Sequence, residues 1–361
     1  CVHVGEVEDT QFKGAVSPIY MSTSYAFDNV PIKRYPRYYN TPNQEMLCKK
    51  IAALEKTEAG LIFSSGMAAI SSAMLTFLKK GDHVIVQQVI YGGTYNFIVS
   101  EFDKYGIYYS FTTSDKIEDF SPLIKKNTKV IYIETPSNPL LGITDMKAIG
   151  ALAKEHQITT MIDNTFASPI NQNPAEFGID IILHSATKYM GGHSDISAGA
   201  IAASEQHIAE IWKTAINFGG NLSDQTVWLL ERSLKTLNLR VKEQTKNALF
   251  IAEYLENHSD IDRVYYPGLK SHPQHTIAKK QMNGFGGMLS FDLSESLDAK
   301  QFLLELELVK PTMSLAGIES TALSPRLTSH ALLSEEERQY QGITPQMIRF
   351  STGIEAFEDI K

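Results

Sequence analysis

Between Pro42 and about Arg232, short runs of apolar and β-branched residues alternate with longer stretches of helical pattern. No other feature limits the fold so strongly. The strand candidates are Gly60–Phe63, His83–Gln87, Tyr108–Thr112, Lys129–Glu134, Thr159–Ile162, Asp180–His184 and Ala198–Ala203. Helical stretches such as Gly66–Leu78, Thr94–Tyr105 and Met146–His156 lie between them. Strands joined through helices pair in parallel, because a parallel pair needs a long crossover. The expectation is an α/β fold whose large, mainly parallel sheet is covered on both faces. From about Ser233 the pattern changes to a long helix over roughly Leu234–Ser259. Short strands such as Met288–Leu293 follow, punctuated by Pro267-Gly268 and Gly284-Phe285-Gly286-Gly287. That reads as a smaller α+β C-terminal domain. Residues 1–40, rich in aromatics, prolines and turn formers, read as an extended arm. The predicted division is therefore an arm (1–40), a large domain (41–232) and a C-terminal domain (233–361).

Composition removes several classes of function. The net charge is −8 and no dense basic run is present, which sets nucleic-acid binding aside. No apolar run of about eighteen residues exists, so no membrane span is expected. The two cysteines, Cys1 and Cys48, give neither a disulfide framework nor a zinc spacing. No metal is expected, and the setting is read as a reducing cytoplasm. The chain opens at Cys1 without an initiator methionine, and Glu355–Ile360 reads as a helix just beginning, so a trimmed chain is expected.

Ligands of an open parallel sheet gather at the carboxyl ends of its strands. There, after Asp180–His184, stands Ser185-Ala186-Thr187-Lys188. A buried ammonium is costly unless it is paired or neutral. A lysine joined as an imine to an aldehyde cofactor escapes that cost, and the two hydroxyls then serve the cofactor's phosphate. The plain alternative is a surface lysine just past a strand. Ser64-Ser65-Gly66-Met67 follows another strand and opens a helix, which suits a phosphate, although small residues start many helices. Asp163 reads either as a cap for the next segment or as the partner of a pyridinium nitrogen. Thr135-Pro136-Ser137-Asn138 is either a proline-shaped turn or the source of an Asn138 donor to a ring oxygen. Tyr91 is either a plain turn tyrosine or a ring that stacks on a flat cofactor. Together these groups supply what pyridoxal phosphate needs. A nicotinamide enzyme would instead show Gly-any-Gly-any-any-Gly after its first strand, and Ser64-Ser65-Gly66 lacks that spacing.

The chain resembles the pyridoxal-phosphate enzymes of cysteine and methionine metabolism. These are cystathionine γ-synthase, cystathionine γ-lyase, cystathionine β-lyase and methionine γ-lyase. The likeness runs from Val2-His3-Val4-Gly5 to Arg349-Phe350-Ser351-Thr352-Gly353-Ile354-Glu355. It is most specific over Ser185–Asp195, with support from Asp163-Asn164-Thr165-Phe166, Glu134–Pro139 and Tyr266-Pro267-Gly268-Leu269. The resemblance implies the type I, aspartate aminotransferase-like fold of pyridoxal-phosphate transferases. It implies that Lys188 forms the imine and later acts as base, that Asp163 pairs with the ring nitrogen, and that Tyr91 stacks and assists the leaving group. It also implies that Asn138 contacts the ring oxygen, while Gly66, Met67, Ser185 and Thr187 hold the phosphate. Tyr35 and Arg37 match a pair that reaches the phosphate of a neighbouring subunit. That implies a homodimer at least, in a family whose members are usually tetramers. Arg349 and Ser314 match the α-carboxylate clamp, which Asn138 also borders on the substrate side. Glu319 resembles a glutamate that faces a distal amino group.

Three segments depart from the family's pattern: Asn40-Thr41-Pro42-Asn43, Ser314-Leu315-Ala316-Gly317 and Thr328-Ser329-His330. They border the substrate side more than the cofactor side. The expected reaction makes or breaks a carbon–sulfur bond at the γ-carbon of cystathionine or an activated homoserine. A cystathionine β-lyase and a methionine γ-lyase are the alternatives, and the latter usually carries a substrate-side cysteine that this chain lacks. An inactive binding protein on the same fold would have lost Lys188 or Asp163, and both are present.

Overall fold

The computed structural model describes residues 1–328, 330–331 and 334–361. Seven strands form the large sheet: β1 (Ala59–Phe63), β2 (His83–Val86), β3 (Tyr108–Phe111), β4 (Thr128–Glu134), β5 (Thr159–Asp163), β6 (Ile181–His184) and β7 (Gly199–Ala203). Their order is β1-β7-β6-β5-β4-β2-β3. From β3 to β6 neighbours run parallel, while β7 is antiparallel to both β6 and β1. Every predicted strand is present, with ends displaced by no more than one residue. The reason is burial: β2, β6 and β7 are buried along their whole length, so each appears as an unbroken apolar run. Adjacent residues feed opposite faces. Ile85, Ile131, Ile162 and Ile182 pack into one core, and Val84, Tyr132, Met161 and Leu183 into the other.

Helices cover both faces and set the sheet's upper rim. The first, α1 (Pro42–Glu55), begins at Thr41, whose hydroxyl accepts from Gln44 N at 3.2 Å while the Gln44 side chain accepts from Thr41 N at 3.1 Å. The altered Asn40-Thr41-Pro42 segment thus makes a capping box with proline in the first helical position. The Thr41 hydroxyl also donates to the Asp224 carboxylate. Next come α2 (Gly66–Phe77) after β1 and α3 (Gly92–Tyr105) after β2.

The second sheet comprises β8 (Ile261–Tyr265), β9 (Met288–Leu293), β10 (Lys310–Pro311), β11 (Thr321–Leu323) and β12 (Met347–Ser351), in the order β10-β11-β12-β9-β8. The long helix expected over roughly Leu234–Ser259 is present as Leu237–Glu256, and a separate helix, Asp224–Leu234, precedes it. The boundary drawn at 232/233 falls inside that preceding helix. Leu237 and Val241 pack into the core of the large sheet, whereas Ala248, Ile251 and Ala252 pack under the small one. One helix serves both cores. Residues 1–35 form no helix or strand.

Candidate active site

Three neighbouring parallel strands, β4, β5 and β6, end at Glu134, Asp163 and His184. A cavity of about 830 Å³ opens there, and its wall includes Lys188, Asp163, Tyr91, Asn138, Ser314 and Arg349. Gly66, Met67, Ser185 and Thr187 line it too.

Lys188 is half-buried in the turn that leaves β6. Its Nζ donates to Ser314 Oγ at 2.7 Å. Burial first, and then the Arg349 cation, push its amine down to about 8. The turn is held from beneath by Arg240, which is buried. Arg240 Nη1 donates to Tyr189 O at 2.8 Å and Nη2 to Ser233 O at 2.9 Å. Gly192 makes this packing possible. Its φ is +68°, and a Cβ there would lie 1.8 Å from Arg240 Nη1.

Asp163 and Glu134 are register partners on adjacent parallel strands, and both are buried. Burial raises the Asp163 carboxyl, opposed by the hydroxyl and N–H of Thr165. Glu134 is held well above the usual carboxylate range by burial and then by the Asp163 charge. Its Oε2 accepts from Tyr91 N at 2.7 Å and its Oε1 from Asn138 N at 3.1 Å. Thr165 ties the neighbouring strand ends together. Its N–H donates to Asp163 Oδ1 at 3.0 Å, and its Oγ1 accepts from Ser185 N at 2.8 Å.

An anion cradle lies at the start of α2. Ser65 caps the helix by accepting from Ala68 N at 3.1 Å. Gly66 and Met67 then stand as first-turn N–H groups, which have no intrahelical acceptor. Gly66 is needed here because a Cβ would stand 2.9 Å from Ser185 Cβ and 3.1 Å from its Oγ. The Thr187 hydroxyl is engaged with backbone, donating to Ala198 O at 3.1 Å and accepting from Ala198 N at 3.0 Å.

Arg349, on β12, is buried on the wall and has no carboxylate in salt-bridge range among the described residues. Its Nη1 donates to Asn138 Oδ1 at 3.1 Å and its Nη2 to Ser314 O at 2.9 Å. Burial pushes it down to about 10, opposed by Tyr91 and Glu134, so it stays cationic at neutral pH. Thr328 and His330 also line the cavity, while Ser329 between them lies outside the described residues. Burial and the Arg349 cation push the His330 imidazole down to about 4, so it is neutral.

Three expected residues are not brought into this wall: Glu319, Tyr35 and Arg37. Glu319 is exposed beyond the turn that carries Ser314 and Ala316, both at positive φ. Tyr35 and Arg37 are exposed around the short turn Pro36–Tyr38, where Arg37 Nη1 donates to Ile216 O at 2.6 Å. Sequence reasoning passed over the roles of Glu134, Thr165 and Arg240. A signal existed for Glu134, which ends a strand just as Asp163 does.

An anion cradle, a lysine and a buried carboxylate around one cavity fit pyridoxal phosphate. The phosphate suits α2 and Ser185, the ring nitrogen suits Asp163, and the aldehyde suits Lys188. The whole chain, residues 1–361, matches the family described as Cys/Met metabolism PLP-dependent enzyme. It is 42% identical to a cystathionine beta-lyase of Lactococcus lactis subsp. cremoris, over 99% of this chain and 94% of that protein. It is 41% identical to a cystathionine gamma-lyase of Bacillus subtilis, over 99% of this chain and 95% of that protein. The crystal structure of a cystathionine gamma-lyase from Lactobacillus plantarum complexed with L-serine superposes with a TM-score of 0.95. The two are 37% identical, over 99% of this chain and 94% of that one. The chain belongs to the Cys/Met metabolism family of pyridoxal-phosphate-dependent enzymes.

Proposed function

We propose that this enzyme cleaves cystathionine by β-elimination, releasing homocysteine and, with water, pyruvate and ammonia. One observation carries the reading. Ser314 joins the base to the carboxylate clamp, because Lys188 Nζ donates to its hydroxyl and Arg349 Nη2 to its carbonyl. An amino acid whose α-carboxylate sits on the planar Arg349 fork therefore presents its α-proton beside Lys188. The lysine's lowered proton affinity enlarges the neutral fraction that can accept that proton. Bound pyridoxal phosphate supplies the electron sink for the charge left on the α-carbon. Asp163 would hold the ring nitrogen, Tyr91 would stack on the ring, and Gly66, Met67 and Ser185 would hold the phosphate. The Tyr91 hydroxyl, on the exposed wall, serves the departing sulfur with a proton.

The expected γ-carbon chemistry leaned on Glu319, which stands outside the cavity wall. A relative at 42% identity carries the name cystathionine beta-lyase, which also supports the β reading. Incubation with cystathionine alone decides it by product mass. Homocysteine with pyruvate is expected. Cysteine with 2-oxobutanoate would replace β- by γ-cleavage, and turnover only with an acyl-homoserine plus a thiol would replace lysis by synthesis.

The same reading gives Tyr35 and Arg37 to a neighbouring subunit's phosphate, making the active unit a homodimer at least, with two such dimers forming a homotetramer. Their exposure away from their own cavity supports this. No helix among the described residues is long and apolar enough to cross a membrane. A cytoplasmic setting completes the reading.

A further inference from the structure

We propose that Glu134 is a positioning residue for the cofactor: its two carboxylate oxygens fix the segments bearing Tyr91 and Asn138. The inference rests on the placing of the cofactor given above, with its ring nitrogen on Asp163. Glu134 spends each oxygen on a different backbone N–H, of Tyr91 at 2.7 Å and of Asn138 at 3.1 Å. Those residues belong to the loops after β2 and β4, so one carboxylate ties the ring's stacking partner to its oxygen contact. Glu134 is itself pinned, since its N–H donates to Gln87 Oε1 at 3.0 Å and its carbonyl accepts from Gln87 Nε2 at 2.9 Å. So firm a mounting for a buried acid needs a reason, and a merely structural glutamine would satisfy the chain less well. An amide nitrogen turned toward one of the two N–H groups would meet a donor with a donor.

The test is the dissociation constant of pyridoxal 5'-phosphate for the apoprotein, measured by absorbance titration. Glu134→Asp keeps the charge but shortens the arm. Affinity should fall about tenfold to hundredfold, and the absorbance maximum of the bound cofactor should move because its stacking and oxygen contacts move. Glu134→Gln should weaken binding likewise, since one N–H then faces an amide donor. Far-UV circular dichroism of each apoprotein checks that it folds, and either variant alone tests the proposal. Wild-type affinity with an unmoved absorbance maximum in a folded variant overturns the proposal. Asp163→Asn separates the underlying reading. If it binds the cofactor as wild type does, the assignment of Asp163 fails and the inference with it. If it binds poorly while both Glu134 variants behave as wild type, the inference alone fails.

Discussion

Lys188 is placed where two effects act in the same direction on its amine: burial disfavours the ammonium, and the Arg349 cation repels it. The amine should therefore acylate in the apoprotein with a rate that rises with pH and levels off near about 8, followed by mass analysis of the Lys188 peptide. In Arg349→Gln the levelling point should move up, toward the ordinary lysine value of about 10.4, because the repelling charge is gone. A profile that keeps rising like that of a surface lysine in the unaltered protein would contradict the assignment of Lys188 as a base poised near neutrality. The places of Lys188, Asp163 and Ser185 at strand ends were legible in the sequence, because each ends or follows an apolar run of strand length. Glu134 offered the same signal, the end of an apolar run, but its tie to Tyr91 spans 43 positions of chain, and that of Arg240 to Tyr189 spans 51. Glu319 is exposed and outside the cavity wall, in a loop whose path the sequence did not reveal: Ser314 and Ala316 adopt φ of +79° and +63°, conformations that neither residue announces.

The turn from Ala186 to Gly192 converts a strand end into a catalytic mount, and it depends on a glycine and an arginine that touch no ligand. Gly192→Ala forces a Cβ onto the Arg240 guanidinium and strains a backbone at φ +68°. It should cost about 2–4 kcal/mol in urea unfolding of the apoprotein. Arg240→Met removes the obstacle but leaves the Tyr189 and Ser233 carbonyls without their donor, about 1–3 kcal/mol for each group left buried. The two changes should couple: the double variant should be more stable than the sum of the singles predicts, by about 1 kcal/mol or more. Strict additivity would mean that the clash is relieved elsewhere. Elements of this kind also mark where sequence reading stops. The seven strands of the large sheet were visible as apolar runs. The start of the long helix was read three residues early, at Leu234 rather than Leu237, because nothing in the local spacing shows that Arg240 reaches back to the Ser233 carbonyl.

At the level of the whole molecule, the arm is tied to its own chain through Ser17 and Asn43 but leaves much apolar surface bare. Phe12, Met21 and Phe27 are exposed, and Tyr35 and Arg37 sit away from their own cavity. Arg37 is anchored by its bond to Ile216 O and lies over the Tyr38 ring, 5.2 Å from its centroid. A cation held on the outside against the Tyr35 and Tyr38 rings, in a chain whose arm exposes Phe12, Met21 and Phe27, fits the proposed second copy of the chain. Within a symmetric pair, each site would then combine Lys188 of one subunit with Arg37 of the other. Complementation tests this directly. Arg37→Ala should bind pyridoxal phosphate weakly although Arg37 lines no part of its own subunit's cavity, and Lys188→Ala should be inactive. When the two are unfolded and refolded together, about half of the randomly formed dimers are hybrids. Each hybrid has one site with both residues intact and one with neither, so about a quarter of wild-type activity should return. Mixing without refolding should restore less, because intact dimers exchange subunits slowly if their interface is large. If the co-refolded mixture gains nothing over its parents while each parent remains folded, Arg37 acts within its own chain and the arm needs another explanation.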